Sequence, residues 1–217
     1  MRHHHIRTEV SGRYLVDAPE GDGPFPLLAG FHGYGQTAEA QMELLRRIPG
    51  SERRVCCSIE ALHPFMNKKG EPGASWMTRR DRELRIEENV GYVDAVLDAV
   101  RRDFPESVLV LHGFSQGAGM ACRAAMLGRH DVAGVMVLGG DIPPELGDLR
   151  RMGRVQLARG ERDRFYTMER LEADRARLFD AGLSPDVVTF RGSHGPTGEY
   201  FVEAGRFLDI IDSDGAG

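Results

Sequence analysis

Four apolar residues, Val108, Leu109, Val110 and Leu111, run directly into Gly113, Phe114, Ser115, Gln116 and Gly117, and the small residues Ala118 to Ala125 follow. A chain with this layout leaves a buried strand, turns sharply and enters a helix, with one hydroxyl at the apex. The apex residue is forced into a strained backbone conformation that only small neighbours two places before and after it tolerate. Gly113 and Gly117 occupy those two places. The turn holds the Ser115 hydroxyl clear of the backbone, with room for a base on one side and a substrate carbonyl on the other. Glycine and serine are common enough for such a pentapeptide to arise by chance, so its setting has to carry the reading.

That setting is an alternation of short apolar runs and amphipathic stretches. Residues 6–16, with Gly12 among them, read as a β-hairpin at a sheet edge. Phe25–Phe31 reads as a strand ending in the loop His32, Gly33, Tyr34, Gly35, and Thr37 is placed to cap a helix over 38–48. A strand over 55–61 precedes a polar, Gly- and Pro-containing insertion, 63–82, which is a candidate lid. The helix over 84–102 carries Ile86, Val90, Val93, Leu97 and Val100 on one face. After the serine turn and a helix over 118–127 come strands 132–138, 155–158 and Asp186–Phe190, with helices 168–181 and 198–211. The tail 212–217 reads as frayed. The pattern predicts one α/β domain over 1–217, with a mostly parallel sheet, helices on both faces and no large cap domain. Chemistry in such sheets collects at the carboxyl ends of the strands.

Composition narrows the function. The chain has 217 residues, 41% of them hydrophobic, and a formal net charge of -5, which gives no support for a nucleic-acid surface. Cys56, Cys57 and Cys122 make a poor disulfide framework and suggest a reducing compartment. Without a signal-like apolar start, and with 132–140 as the longest uncharged apolar run, a membrane span is not expected and a cytoplasmic enzyme is the simplest reading. His3, His4 and His5 read as a metal site, an added tag or merely a polar start. Three consecutive side chains do not readily converge on one ion, and neither metal nor cofactor is expected.

A serine hydroxyl is nearly inert at neutral pH, so it needs an imidazole to take its proton and a carboxylate to orient that imidazole. Asp163 follows the strand at 155–158, and His194 follows Asp186–Phe190 between Ser193 and Gly195. The order Ser115, Asp163, His194 is the nucleophile, acid, histidine order of an α/β-hydrolase. Asp141 and Glu161 compete for the acid. His32 and His112 read as structural, and His63 and His130 as loop or surface residues.

The tetrahedral intermediate of acyl transfer needs two N–H donors for its oxyanion. Gln116, opening the helix after the serine, supplies one backbone N–H, and Tyr34 in the glycine loop is the first choice for the other. Trp76, the only tryptophan, reads equally as a lid or pocket residue and as an anchor pinning the insertion. Phe65, Met66, Phe165 and Tyr166 are candidates to line an apolar acyl site.

Taken together, Phe31-His32-Gly33-Tyr34-Gly35, Gly113-Phe114-Ser115-Gln116-Gly117, the segment Gly160 to Asp163 and Ser193-His194-Gly195 resemble the phospholipase/carboxylesterase family of small α/β-hydrolases, which includes acyl-protein thioesterases. The resemblance extends over most of the chain from Phe25 onward. It implies catalytic roles for Ser115, Asp163 and His194, oxyanion roles for Tyr34 and Gln116, and a place near the acyl site for Phe165. The expected activity is cleavage of carboxylic esters, or thioesters, of small to medium acyl chain through an acyl-enzyme. The bulk of Tyr34 and Trp76 favours short chains. A small-molecule ester is the expected partner and a homodimer is left open. A peptidase or amidase on the same scaffold and a non-catalytic binding protein are the alternatives.

Overall fold

The computed structural model describes residues 1–78 and 80–215. Nine strands and five α-helices alternate along it: β1 (Tyr14–Asp17), β2 (Phe25–Phe31), α1 (Ala38–Arg46), β3 (Val55–Ile59), β4 (His63–Met66), β5 (Pro72–Ser75), α2 (Arg82–Asp103), β6 (Glu106–Phe114), α3 (Gln116–Leu127), β7 (Gly134–Leu138), β8 (Arg154–Gly160), α4 (Met168–Asp180), β9 (Asp186–Phe190) and α5 (Gly198–Gly215). Seven strands form one sheet in the order β1-β3-β2-β6-β7-β8-β9. Only β1 runs antiparallel to its neighbour; the other five pairings are parallel.

Parallel strands covered on both faces are built from uninterrupted apolar runs, and side-chain alternation divides those runs between two cores. Leu27, Ala29, Phe31, Leu109, Leu111, Val135 and Val137 face a layer made by α2, α3 and α4. Their sequence neighbours Leu28, Val110, Met136 and Leu138 face α1 and α5. The fold is that of an α/β-hydrolase, with no large cap domain among the described residues.

Three sequence expectations change. Residues 6–16 form no hairpin: only Tyr14–Asp17 is a strand, and it pairs with β3, Tyr14 opposite Ile59. The chain before it lies along α2 instead, where the Tyr92 hydroxyl donates to Arg13 O at 2.8 Å and Arg7 pairs with Glu87 at 2.6 Å. A tertiary surface has taken the place of a local turn. The 63–82 insertion holds a two-stranded sheet, β4 against β5 with His63 opposite Ser75. Its turn is closed by Asn67 Oδ1, which accepts from the Lys69 and Glu71 N–H groups at 2.8 and 3.0 Å. The tail is helical through Gly215, while 216–217, also expected to fray, lie outside the described residues. Asp212 pairs with Arg54 at 2.6 Å, and the Arg54 side chain is only 1% exposed. That pair gives the last turn of α5 a reason to stay wound.

Candidate active site

Ser115 sits at φ 54, ψ -118, between the end of β6 and the start of α3. A non-glycine residue there carries about 1–3 kcal/mol of strain, so the surroundings must hold it. They do so by close packing. A Cβ on Gly113 would collide with the Gly117 carbonyl and Ala118, and one on Gly117 with the Phe31 carbonyl. The Ser115 N–H also donates to Leu138 O of the neighbouring strand β7 at 2.8 Å.

The loops after β8 and β9 bring the other two residues to it. His194 Nε2 lies 2.8 Å from Ser115 Oγ, and His194 Nδ1 lies 2.9 Å from Asp163 Oδ2. A carboxylate facing Nδ1 makes that nitrogen the donor, which leaves Nε2 to accept the serine proton. The other oxygen of Asp163 accepts from the N–H groups of Phe165 and Tyr166 at 2.8 and 3.1 Å. The Asp163 side chain is fully buried, whereas that of His194 is 25% exposed. The acid is therefore shielded while the imidazole keeps an open edge.

Backbone hydrogen bonds tie the acid and histidine loops to each other: Glu161 N–H to Phe190 O and Arg162 N–H to Gly192 O, both at 2.9 Å. Arg159, which the sequence reading overlooked, lies buried beneath the acid loop. It donates to Tyr166 O at 2.9 Å, Glu161 O at 3.2 Å and Asp163 O at 3.4 Å. Its only sequence signal is an arginine at the carboxyl end of a strand, just before the acid loop. A guanidinium has donors enough to collect the carbonyls of a tight loop.

The competing residues are elsewhere engaged. Asp141 pairs with Arg170 at 3.6 Å, and Glu161 is exposed. His112 is buried between Gln41 Nε2 at 2.9 Å and the Tyr200 hydroxyl at 2.8 Å, and burial pushes it down to about 4. His32 is buried too, accepting from the Ala61 N–H on Nε2 at 3.0 Å while Nδ1 donates to Gly33 O at 2.7 Å. Burial is the main reason it is held below the usual histidine range. His130 pairs with Asp98 at 3.3 Å. His63 begins β4, with burial pulling it downward as well. The three cysteines are free and buried, and burial pushes Cys56 up to about 12, so none is a ready thiolate.

Tyr34 lies in the turn after β2, and Gln116 directly follows Ser115. The turn after β2 is tightened by Gln36 N–H to Gly33 O at 3.1 Å and Gly33 N–H to Gln36 Oε1 at 2.8 Å. The Tyr34 side chain is 65% exposed and stacks on Phe65, ring centroids 5.2 Å apart. Gln116 is the first residue of α3, where backbone N–H groups have no acceptor within the helix. Phe165 is 69% exposed with its ring 4.8 Å from the His194 imidazole, while Phe114 packs on the same imidazole at 5.1 Å.

Trp76 presents no surface to a substrate. It is fully buried, its indole N–H donates to His32 O at 2.9 Å, and its ring packs on Phe31 and His32. Of its two sequence readings the structure supports the anchor, because an indole with no exposed surface cannot meet a substrate in this state. Its bulk therefore gives no ground for expecting short acyl chains. Tyr166, fully buried with its hydroxyl donating to Asp174 Oδ2 at 3.0 Å, is likewise core and not acyl-site lining. No helix of the described residues is long and apolar enough to cross a membrane.

Comparison with known proteins agrees with this fold. Among solved structures, the esterase PE8 is 25% identical and superposes with a TM-score of 0.68 over 94% of this chain and 100% of its own. The Bacillus cereus carboxylesterase is 16% identical, with a TM-score of 0.72 over 92% of this chain and 94% of its own. The Zea mays acyl-protein thioesterase 2 is 17% identical, with a TM-score of 0.71 over 93% of this chain and 99% of its own. A comparison with the curated proteins finds no match. The sequence profile of the phospholipase/carboxylesterase family matches residues 24–147, more than half of the chain and including the elbow, and the protein belongs to that family.

Proposed function

We propose that this protein is a serine hydrolase that cleaves carboxylic esters, and by the same chemistry thioesters, of small to medium acyl chain through an acyl-enzyme. The observation that carries the reading is the unbroken line from Ser115 Oγ through His194 to Asp163, with contacts of 2.8 and 2.9 Å. As Ser115 Oγ attacks the substrate carbonyl carbon, His194 Nε2 takes the hydroxyl proton, and Asp163 stabilises the imidazolium that forms. The carbonyl oxygen becomes an oxyanion held by the backbone N–H groups of Gln116 and Tyr34. Collapse of the intermediate breaks the bond to the leaving alcohol or thiol, which receives the proton from His194. Water then repeats the sequence on the acyl-serine and releases the acid. Every proton taken in one half of the cycle is returned in the other, so the cycle needs no cofactor.

Phe165, exposed beside His194, is the residue proposed to meet the acyl or leaving group. Three buried free thiols fit a cytoplasmic setting. The test is turnover of p-nitrophenyl acetate and butyrate beside a peptide substrate, together with labelling by a fluorophosphonate. Ester turnover and labelling that both vanish in Ser115→Ala are the expected result. Turnover that survives in that variant rejects the mechanism, and peptide cleavage faster than ester cleavage moves the reading to a peptidase.

A further inference from the structure

Trp76 has three polar atoms, and three different elements take them. Its backbone N–H donates to Gln116 Oε1, on the first residue of α3, at 2.9 Å. Its indole N–H donates to the carbonyl of His32, at the exit of β2, at 2.9 Å. Its own carbonyl accepts from Nδ2 of Asn89, a fully buried residue of α2, at 2.8 Å. The preceding residues extend the bracket. The Gly35 N–H donates to Ala74 O at 2.9 Å, the Ala74 N–H to Gln36 O at 3.0 Å, and Gln116 Nε2 to Ser75 Oγ at 3.1 Å.

The two proposed oxyanion donors follow the paired strands β2 and β6, Phe31 opposite Gly113, and beyond that pairing the spacing of the two loops depends on what bonds to both. Residues 74–76 bond to both: to the turn around Tyr34 through Ala74 and the Trp76 indole, and to Gln116 through Ser75 and the Trp76 backbone. We infer that Trp76 is a positioning residue of the oxyanion site, setting the spacing of the Tyr34 and Gln116 N–H groups through His32 and the Gln116 side chain. This rests on the hydrolase reading above. A donor displaced by a fraction of an ångström binds the ground-state carbonyl almost as before. It stabilises the shorter, charged contact of the transition state less well.

That asymmetry separates positioning from mere anchoring. Trp76→Phe keeps an aromatic ring in the core and removes the bond to His32 O. Gln116→Met keeps the backbone N–H and removes the acceptor for Trp76 N–H. With p-nitrophenyl butyrate as substrate, each is expected to lower kcat about tenfold or more while KM stays within about twofold, removal of a whole donor costing on the order of 100- to 1000-fold. The double variant is expected to lose less than the product of the two, because both break one bracket. Leu208→Ala, buried on α5 and remote from the bracket, is the control for lost stability and is expected to leave kcat unchanged. A kcat retained within twofold in both variants, or a rise in KM at constant kcat, overturns the inference. If Trp76→Phe does not fold, Gln116→Met decides alone. Normal labelling of Ser115 with unaltered variant kinetics rejects the positioning role only, whereas a wild-type protein that neither labels nor turns over ester rejects the hydrolase reading and this role with it.

Discussion

Asp163 receives the Phe165 N–H at 2.8 Å on the oxygen that His194 leaves free. Because two backbone donors hold that oxygen, the carboxylate cannot rotate. An asparagine in its place would keep its carbonyl oxygen on the backbone N–H groups and turn its NH₂ toward His194 Nδ1. The imidazole would then carry its proton on Nε2, with nothing to accept the serine hydroxyl proton. Asp163→Asn is expected to lower kcat by roughly 10³ to 10⁴, the scale of the wrong-tautomer effect in serine proteases, while KM and melting temperature change little. Steady-state kinetics beside a thermal scan check this, and activity within tenfold of wild type would remove Asp163 from its role.

Phe165 is exposed and packs on the His194 ring, so truncating it tests the surface of the site and not core stability. Phe165→Ala retains the N–H that Asp163 needs and is expected to change stability by no more than about 0.5 kcal/mol. The expected kinetic effect is a few-fold rise in KM that grows with acyl length. An acyl-chain series on both proteins measures it. Parallel profiles would leave Phe165 without a substrate role.

His112 predicts how stability responds to acid. Its folded value of about 4 lies below the ordinary histidine value, so between roughly pH 6.5 and 4 the unfolded chain binds the extra proton and the folded one does not. Stability is then full above about pH 6.5 and falls as pH drops through that window, by about 3 kcal/mol in all from this one group. His112→Asn removes the titration and is expected to flatten that part of the decline. Denaturant unfolding at pH 7 and pH 4.5 compares the two slopes, and equal slopes would assign acid sensitivity to other groups.

Arg54 and Asp212 make the end of α5 a structural element. Removing the carboxylate leaves a buried guanidinium whose remaining hydrogen bond, among the described residues, is to the Leu208 carbonyl at 3.2 Å. Since Asp212 itself is partly exposed, the expected loss for Asp212→Asn is roughly 1 to 3 kcal/mol, between that of a surface pair and that of a fully buried one. Chemical denaturation measures it, and a loss below about 0.5 kcal/mol would mean the pair holds nothing.

What the sequence reveals, and what it hides, follows the range of the forces involved. Phe25–Phe31 is legible to the residue because a buried parallel strand must be a nearly unbroken apolar run, and the edge strand Asp186–Phe190 because Val187, Val188, Thr189 and Phe190 are all strong β-formers. The elbow is legible because only glycine fits at 113 and 117. Asp163 and His194 can be placed because each follows the carboxyl end of a parallel strand. The hairpin expected over 6–16 fails because Tyr92, far along the chain, offers Arg13 a better partner than a local turn does. The helical tail is missed because its reason, Arg54, lies some 150 residues earlier. Trp76 is ambiguous for the same cause: whether an indole faces a substrate or His32 O depends on contacts that no local pattern records.

In the proposed mechanism, the position of β6 at the middle of the sheet divides the labour of catalysis. On its β2 side stand the turn around Tyr34 and the bracket at 74–76, groups proposed to hold charge without exchanging protons. On its β7 to β9 side stand Asp163 and His194, proposed to govern where the proton is. Substitutions on the two flanks should therefore leave different signatures. Damage on the β2 side scales the rate by one factor at every pH, whereas damage beyond β7 bends the pH-rate curve itself. The shape of that curve, measured for any new variant, tells which flank of the sheet has been disturbed before its structure is known.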